Sequence, residues 1–189
     1  MNHSITVYIL AGGESRRFGE NKALYLFKDK PMISHVIEQI SGVSQNVVII
    51  GKNEKLYETF GYPVIEDLLP YQTPLAGIYT GLMNSSTEWN FFIACDMPFF
   101  SSENLLTLIE AIPKDKTDLE IIAPKTEQGI EPMAALYHKS LGPSIVENQK
   151  EIYSLKGFIR SRNHLLIDFK SSLPFRNINT KDQLDKLDP

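Results

Sequence analysis

The chain has 189 residues, a net charge of −4, and 42% hydrophobic against 22% charged residues. That is enough sequence for one domain with a full apolar core, in the balance of an ordinary globular protein. The acidic balance gives no electrostatic reason to expect nucleic acid as the main partner, although a local basic cluster could still bind a small polyanion.

Strand-like and helix-like stretches alternate from the start. Thr6–Leu10 is continuously apolar and stops at Gly12-Gly13, the pattern of a strand buried on both faces of a parallel sheet. Pro31 opens a helical stretch with Ile33, Val36, Ile37 and Ile40 at helical spacing, and Gly42 lies beyond its end. Val47–Ile50 reads as a second buried strand, residues 54–60 as a short helix, and Val64-Ile65 as a third strand. A turn-rich segment, Glu66–Pro74, precedes a helix near Leu75–Met83. Asn90–Ala94 is a fourth strand, and Ser101 or Ser102 is placed to cap a helix through Leu105, Leu108 and Ile109. Glu120–Ala123 and Ala134–Tyr137 read as strands, 139–148 and 152–160 as helices, and Leu165–Asp168 as a late strand. Thr180 is placed to cap a final helix through Leu184 and Leu187. This alternation predicts a doubly wound α/β sheet. With no repeats, no low-complexity segment and no linker, residues 1–189 are expected to form one domain.

The longest apolar runs, such as Phe91–Cys95, are strand-length, so no membrane partner is expected. No basic leader or small-residue cleavage site precedes the first apolar run, so a cytoplasmic location is expected. Cys95 is the single cysteine, which excludes an internal disulfide and a thiolate-rich metal site. The four histidines show no metal-ligand spacing, and Ser15 is not in a Gly-x-Ser-x-Gly elbow.

Ligands of open α/β sheets sit beyond the carboxyl ends of the strands, and three segments of unusual composition fall there. The first carries Gly12, Gly13, Ser15, Arg16, Arg17, Gly19 and Lys22. Glycines let backbone N–H groups approach an anion, while arginine and lysine supply positive charge to phosphate oxygens. The spacing matches neither a P-loop nor Gly-x-Gly-x-x-Gly, so by composition the loop reads equally as a solvated basic turn. The second segment holds Asp67, placed either to start a turn or to bind. The third holds Asp96, directly after the most hydrophobic strand, where a metal role is favoured over a turn. Such carboxylates suit Mg²⁺, which takes one or two protein carboxylates together with phosphate oxygens.

Together these motifs resemble the signature of nucleotidyltransferases built on a Rossmann-like sheet: Leu10–Gly19 with Asn21–Leu24. More narrowly, the chain resembles the molybdenum cofactor guanylyltransferase family. Glu66-Asp67 with Pro74–Ile78, Cys95–Pro98, Glu131–Tyr137 and Asn177–Thr180 are similar to that family's segments, in the family's order. Thr73 stands where the family usually has Gly, and Phe18 where Met is common.

The resemblance implies a single-domain, three-layer α/β/α sandwich with a mostly parallel central sheet, of the nucleotide-diphospho-sugar transferase type. Residues of about 1–112 would form its nucleotide half and about 113–189 its acceptor half. It implies GTP and molybdopterin as substrates, Mg²⁺ as cofactor, and GMP transfer with release of pyrophosphate. It gives Leu10, Ala11, Gly12, Gly13, Lys22, Asp67 and Asp96 to the nucleotide, and Asp96 to the metal. Arg17, Lys22 and Asp96 become catalytic; Glu131, Pro132, Asn177 and Asn179 face the acceptor. It allows transient contact with molybdenum-insertion or molybdoenzyme-maturation proteins. Related readings are a molybdopterin cytidylyltransferase, another phosphate-acceptor nucleotidyltransferase, or a non-catalytic nucleotide-binding regulator.

Overall fold

A computed structural model describes residues 4–12, 21–70, 73–147, 154–180 and 183. Strand β1 (Ile5–Leu10) is followed by a small hairpin, β2 (Leu26–Phe27) with β3 (Lys30–Pro31), and then helix α1 (Met32–Ile40). Next come β4 (Val47–Ile50), β5 (Val64–Ile65), α2 (Pro74–Asn84), β6 (Trp89–Ala94) and α3 (Ser102–Glu110). The remaining elements are β7 (Ile121–Thr126), β8 (Gly129–Ile130), β9 (Ala134–His138), α4 (Leu141–Glu147), α5 (Leu155–Arg160) and β10 (His164–Asp168).

Among the described residues the main sheet runs β10-β7-β9-β6-β1-β4-β5, with β8 pairing only to β7. Its pairs are parallel except where β9 lies between β6 and β7, and where β8 folds back on β7. The antiparallel strand has a simple cause. Residues 127–133 are too few for the crossover that a parallel neighbour requires, so the chain can return only in the opposite sense.

Alternation along the central strands splits the core into two layers. Val7, Ile9, Phe91 and Ile93 pack with Ile33, Val36 and Ile40 of α1 and Leu105 and Leu108 of α3. Tyr8 and Phe92 point to the other face and meet Ile78 and Leu82 of α2, Leu141 and Ile145 of α4, and Phe158 of α5. Apolar side chains on both faces are what a sheet covered by helices on both sides demands. The result is the expected three-layer, mostly parallel α/β/α arrangement.

Local chemistry explains the helix starts. The Thr73 side chain accepts from the Ala76 amide at 3.2 Å with Pro74 in the first turn. Ser101 forms a reciprocal capping box with Asn104, and Ser154 accepts from the Gly157 amide at 3.0 Å. Three features differ from the sequence expectation. Residues 54–60 form two 3₁₀ turns, Glu54–Leu56 and Glu58–Phe60, instead of one helix. Asn53 at φ 65° and Gly61 at φ 73° stop both ends, leaving too short a segment for helix nucleation to be repaid. The β2–β3 hairpin was unforeseen: its turn places Lys28 and Asp29 at φ 49° and 60°, without the usual glycine signal. The β8 return, through Glu127 and Gln128, was also unforeseen. The expected final helix lies almost wholly outside the described residues, although Thr180 Oγ1 does accept from the Gln183 amide at 3.3 Å.

Helix α2 packs very close to the sheet. A Cβ on Gly81 would fall 2.5 Å from Phe92 Cε1 and 3.0 Å from Tyr8 Cγ, two rings stacked with centroids 5.0 Å apart. Gly81→Ala is therefore expected to lower stability by about 1–3 kcal/mol through overpacking, read as a lower urea midpoint at unchanged m-value.

Candidate active site

After β1 the chain extends the sheet outward through β4 and β5, then returns to the other side of β1 as β6. The direction of winding reverses between β1 and β6, and such a switch point opens a crevice beyond the strand ends. The Cys95 amide donates to Leu10 O at 3.1 Å and the Ala11 amide to Ile50 O at 2.8 Å, so β1 is held from both sides up to its last residues.

Two groups of the expected residues meet here. On the β5 side, Asp67 lies against the end of β1. A Cβ on Gly12 would fall 3.1 Å from Asp67 Oδ2, so the absence of a side chain lets backbone and carboxylate approach. Gly77 of α2 performs the same service for Leu10, whose Cδ2 would be 2.7 Å from an added Cβ. The Thr80 hydroxyl accepts from the Leu68 amide and donates to Ala76 O, both at 2.9 Å, tying the Asp67 loop to α2. Burial pushes the Asp67 carboxyl above its ordinary value, with the Thr80 hydroxyl and the Lys52 charge acting in the opposite direction.

On the β6 side, Lys22 Nζ pairs with Asp96 Oδ2 and donates to Asn179 Oδ1 at 2.7 Å. The Ile178 amide donates to Asp96 O at 3.0 Å, so the C-terminal segment docks directly on the carboxylate. Asp96 Oδ1 and Asp67 Oδ1 are both buried and have no hydrogen-bond partner among the described residues. A buried carboxylate oxygen left without a donor suits a cation. No group of three or more His, Cys, Asp or Glu side chains forms a metal cage among the described residues. The donor set is thus one of oxygens from isolated carboxylates, which fits Mg²⁺ shared with a phosphorylated substrate.

The residues expected to face the acceptor reach the same edge of the sheet. Met133 O accepts from the Ala94 amide at 3.0 Å, which sets Glu131 and Pro132 beside the end of β6. Glu131 Oε1 accepts from Thr126 Oγ1 at 2.8 Å, and Pro132 O accepts from the buried Tyr137 hydroxyl at 2.8 Å. Asn177 is half-buried and Asn179 exposed. Gly13 and Arg17, with Ser15, Arg16, Phe18 and Gly19, lie outside the described residues. Cys95 is buried and burial pushes its thiol strongly up, which leaves it inert as a nucleophile.

Sequence reasoning missed Tyr57, whose hydroxyl donates to Ala11 O, and gave no separate role to Asn21 within the quoted signature. The Asn21 side chain caps the 3₁₀ turn that carries Lys22. Asn21 is of a common capping type, which is a signal; Tyr57 has Phe60 and Tyr62 close by, and nothing in the sequence sets it apart from them.

A glycine at the strand end, a carboxylate on either side of it and a lysine paired with Asp96 fit one class, a nucleotidyltransferase. Residues 7–165 match the MobA-like NTP transferase domain, and the chain belongs to that family. A relative from Natranaerobius thermophilus, described as a probable molybdenum cofactor guanylyltransferase, is 37% identical over 98% of this chain and 96% of its own. The molybdenum cofactor guanylyltransferase of Desulfosudis oleivorans is 31% identical over 97% and 94%. Among solved structures, molybdopterin-guanine dinucleotide biosynthesis protein A from Archaeoglobus fulgidus superimposes with a TM-score of 0.78 at 26% identity, covering 96% and 95%. CMP:2-keto-3-deoxy-manno-octonic acid synthetase, at 13% identity and a TM-score of 0.77 over 97% and 96%, shares the fold. No helix among the described residues is long and apolar enough to cross a membrane.

The raised Asp67 carboxyl has a consequence for stability. The folded state holds this proton more tightly than the unfolded chain, so the group's contribution falls as pH rises through and above the ordinary aspartate range. Asp67→Asn is expected to melt higher than the parent at pH 7, and the gain should vanish below the ordinary aspartate range. Thermal melts across pH test this; a variant melting lower at pH 7 contradicts it.

Proposed function

We propose that the protein transfers GMP from GTP to the terminal phosphate of molybdopterin, releasing pyrophosphate and forming molybdopterin guanine dinucleotide. The observation that carries this reading is the Lys22–Asp96–Asn179 cluster at the switch point, with Asp96 Oδ1 buried and unpartnered among the described residues. The names of the full-length relatives support the guanylyl group and the molybdenum cofactor acceptor.

In this reading GTP lies across the strand ends, with the backbone of Leu10–Gly12 against the nucleotide and Asp67 contacting it. Asp96 would hold a Mg²⁺ ion, which supplies positive charge to the phosphate oxygens. Lys22 stands beside that carboxylate and neutralises developing charge on the phosphates; the resemblance gives Arg17 the same task. An anionic oxygen of the acceptor phosphate attacks the α-phosphorus in line. A new phosphoanhydride forms as the α–β phosphoanhydride bond breaks, and the electron pair leaves with pyrophosphate. The attacking phosphate needs no deprotonation at neutral pH, so the work left to the protein is positioning and charge stabilisation. Residues of about 1–112 would hold the nucleotide, and about 113–189 the acceptor through Glu131, Pro132, Asn177 and Asn179. A cytoplasmic location and transient docking with molybdenum-insertion or molybdoenzyme-maturation proteins belong to the same reading.

Asp96→Asn keeps an oxygen that can accept from Lys22 and leaves the Ile178–Asp96 backbone bond in place, so the fold should survive. Its turnover is expected to drop by about a hundredfold or more, measured as pyrophosphate release. Near-parental turnover would remove Asp96 from the metal role. A panel of the four nucleoside triphosphates with Mg²⁺ and Mo-molybdopterin should give dinucleotide product from GTP alone. Product from CTP instead would make the protein a cytidylyltransferase, and binding without product would make it a regulator.

A further inference from the structure

Tyr57 sits between the two 3₁₀ turns with only 1% of its surface exposed. Its ring is seated against Gly51, where an added Cβ would fall 2.9 Å from Cε2. A phenylalanine would fill this seat equally well, and burying a phenol oxygen is costly unless its hydrogen bonds are made. The hydroxyl makes two. It donates to Ala11 O at 3.2 Å and accepts from Asn21 Nδ2 at 3.1 Å. These partners stand on either side of the segment between β1 and the Lys22 turn.

Each bond fixes something different. The Ala11 amide is already held by Ile50 O, so securing Ala11 O as well locks the orientation of the Ala11–Gly12 peptide. That peptide is planar and trans, so the Gly12 N–H must point opposite to Ala11 C=O, away from Tyr57. On the other side, Asn21 Oδ1 accepts from the Ala23 amide at 3.0 Å and caps the turn Lys22–Leu24. The Asn21 side chain thus grips the Lys22 turn with its oxygen and Tyr57 with its nitrogen.

We propose that Tyr57 is a positioning residue for the nucleotide, setting through one hydroxyl both the direction of the Gly12 amide and the place of Lys22. This rests on the nucleotidyl-transfer reading above, in which Gly12 and Lys22 meet the triphosphate. Tyr57 itself touches no substrate; it acts through Asn21 and Ala11.

The test is equilibrium binding of the triphosphate with Mg²⁺, by calorimetry, to the parent protein, Tyr57→Phe, Asn21→Ser and the double variant. Serine keeps a capping oxygen for Ala23 but is too short to reach Tyr57. Tyr57→Phe, which removes both bonds, should weaken binding by about tenfold, and Asn21→Ser, which removes only the bond to the Lys22 turn, by about threefold. The double variant should match Tyr57→Phe at about tenfold, not reach about thirtyfold, because the bond lost in Asn21→Ser is already lost in Tyr57→Phe. KM should rise in step, and kcat should fall as well, because a displaced Lys22 no longer meets the charge that develops on the phosphates. Tyr8→Phe removes another buried hydroxyl, bonded to Ser85 beyond the far end of α2, and should leave binding within about twofold.

Unchanged affinity in Tyr57→Phe, with the parent binding normally, overturns the positioning role and leaves the nucleotidyl-transfer reading intact. Equal weakening by Tyr8→Phe also overturns it, since the effect would then be general softening. A parent protein that binds none of the four triphosphates overturns the reading and the positioning role together.

Discussion

The parallel pairing of β1 with β6, continued past the strands by the Cys95 amide on Leu10 O, is the contact on which the rest of the site depends. It joins residues more than eighty positions apart and places the Leu10–Gly12 backbone beside Asp96. Because β1 is also paired to β4, its end cannot shift sideways. Both strands are buried on both faces, so moving either would expose apolar surface in both core layers. The strand ends that border the crevice are held in place by the same burial that stabilises the core.

Around that fixed edge, small residues and buried oxygens do complementary things. Gly12 and Gly77 admit close approach to Asp67 and Leu10. Asp67 and Asp96 each hold a buried oxygen without a donor among the described residues, an arrangement that costs stability unless a ligand supplies one. Under the proposed function that is the expected trade, since carboxylates meant to receive positive charge are kept poised at the expense of the fold's stability.

The C-terminal segment is part of the same construction. Ile178 bonds the Asp96 backbone while Asn179 meets Lys22, so the C-terminal stretch docks beside the carboxylate. The antiparallel strand β9 adds Glu131 and Pro132 on the same edge, because its start lies where the parallel strands end. Two distant parts of the chain thus reach one edge by different routes.

Much of this could be read from residue order. The runs at Ile5–Leu10, Val47–Ile50 and Trp89–Ala94 are apolar because two-sided burial requires it, and Ser101 and Thr73 declare helix starts by local hydrogen bonding. Asp67 and Asp96 stand out because a carboxylate at the end of a buried strand is chemically conspicuous. Local pattern failed where short segments bend to suit distant partners, as in the two turns around Tyr57 and the Lys28-Asp29 hairpin. It was silent on the bond from Lys22 to Asn179, 157 positions away, and on the hydroxyl of Tyr57 that links Ala11 to Asn21. By itself the sequence determined which elements form and which groups carry charge, since propensity, capping and burial act over a few residues. Only the tertiary structure decided which of those groups touch, because a side-chain hydrogen bond across the fold leaves no periodicity in the chain that makes it.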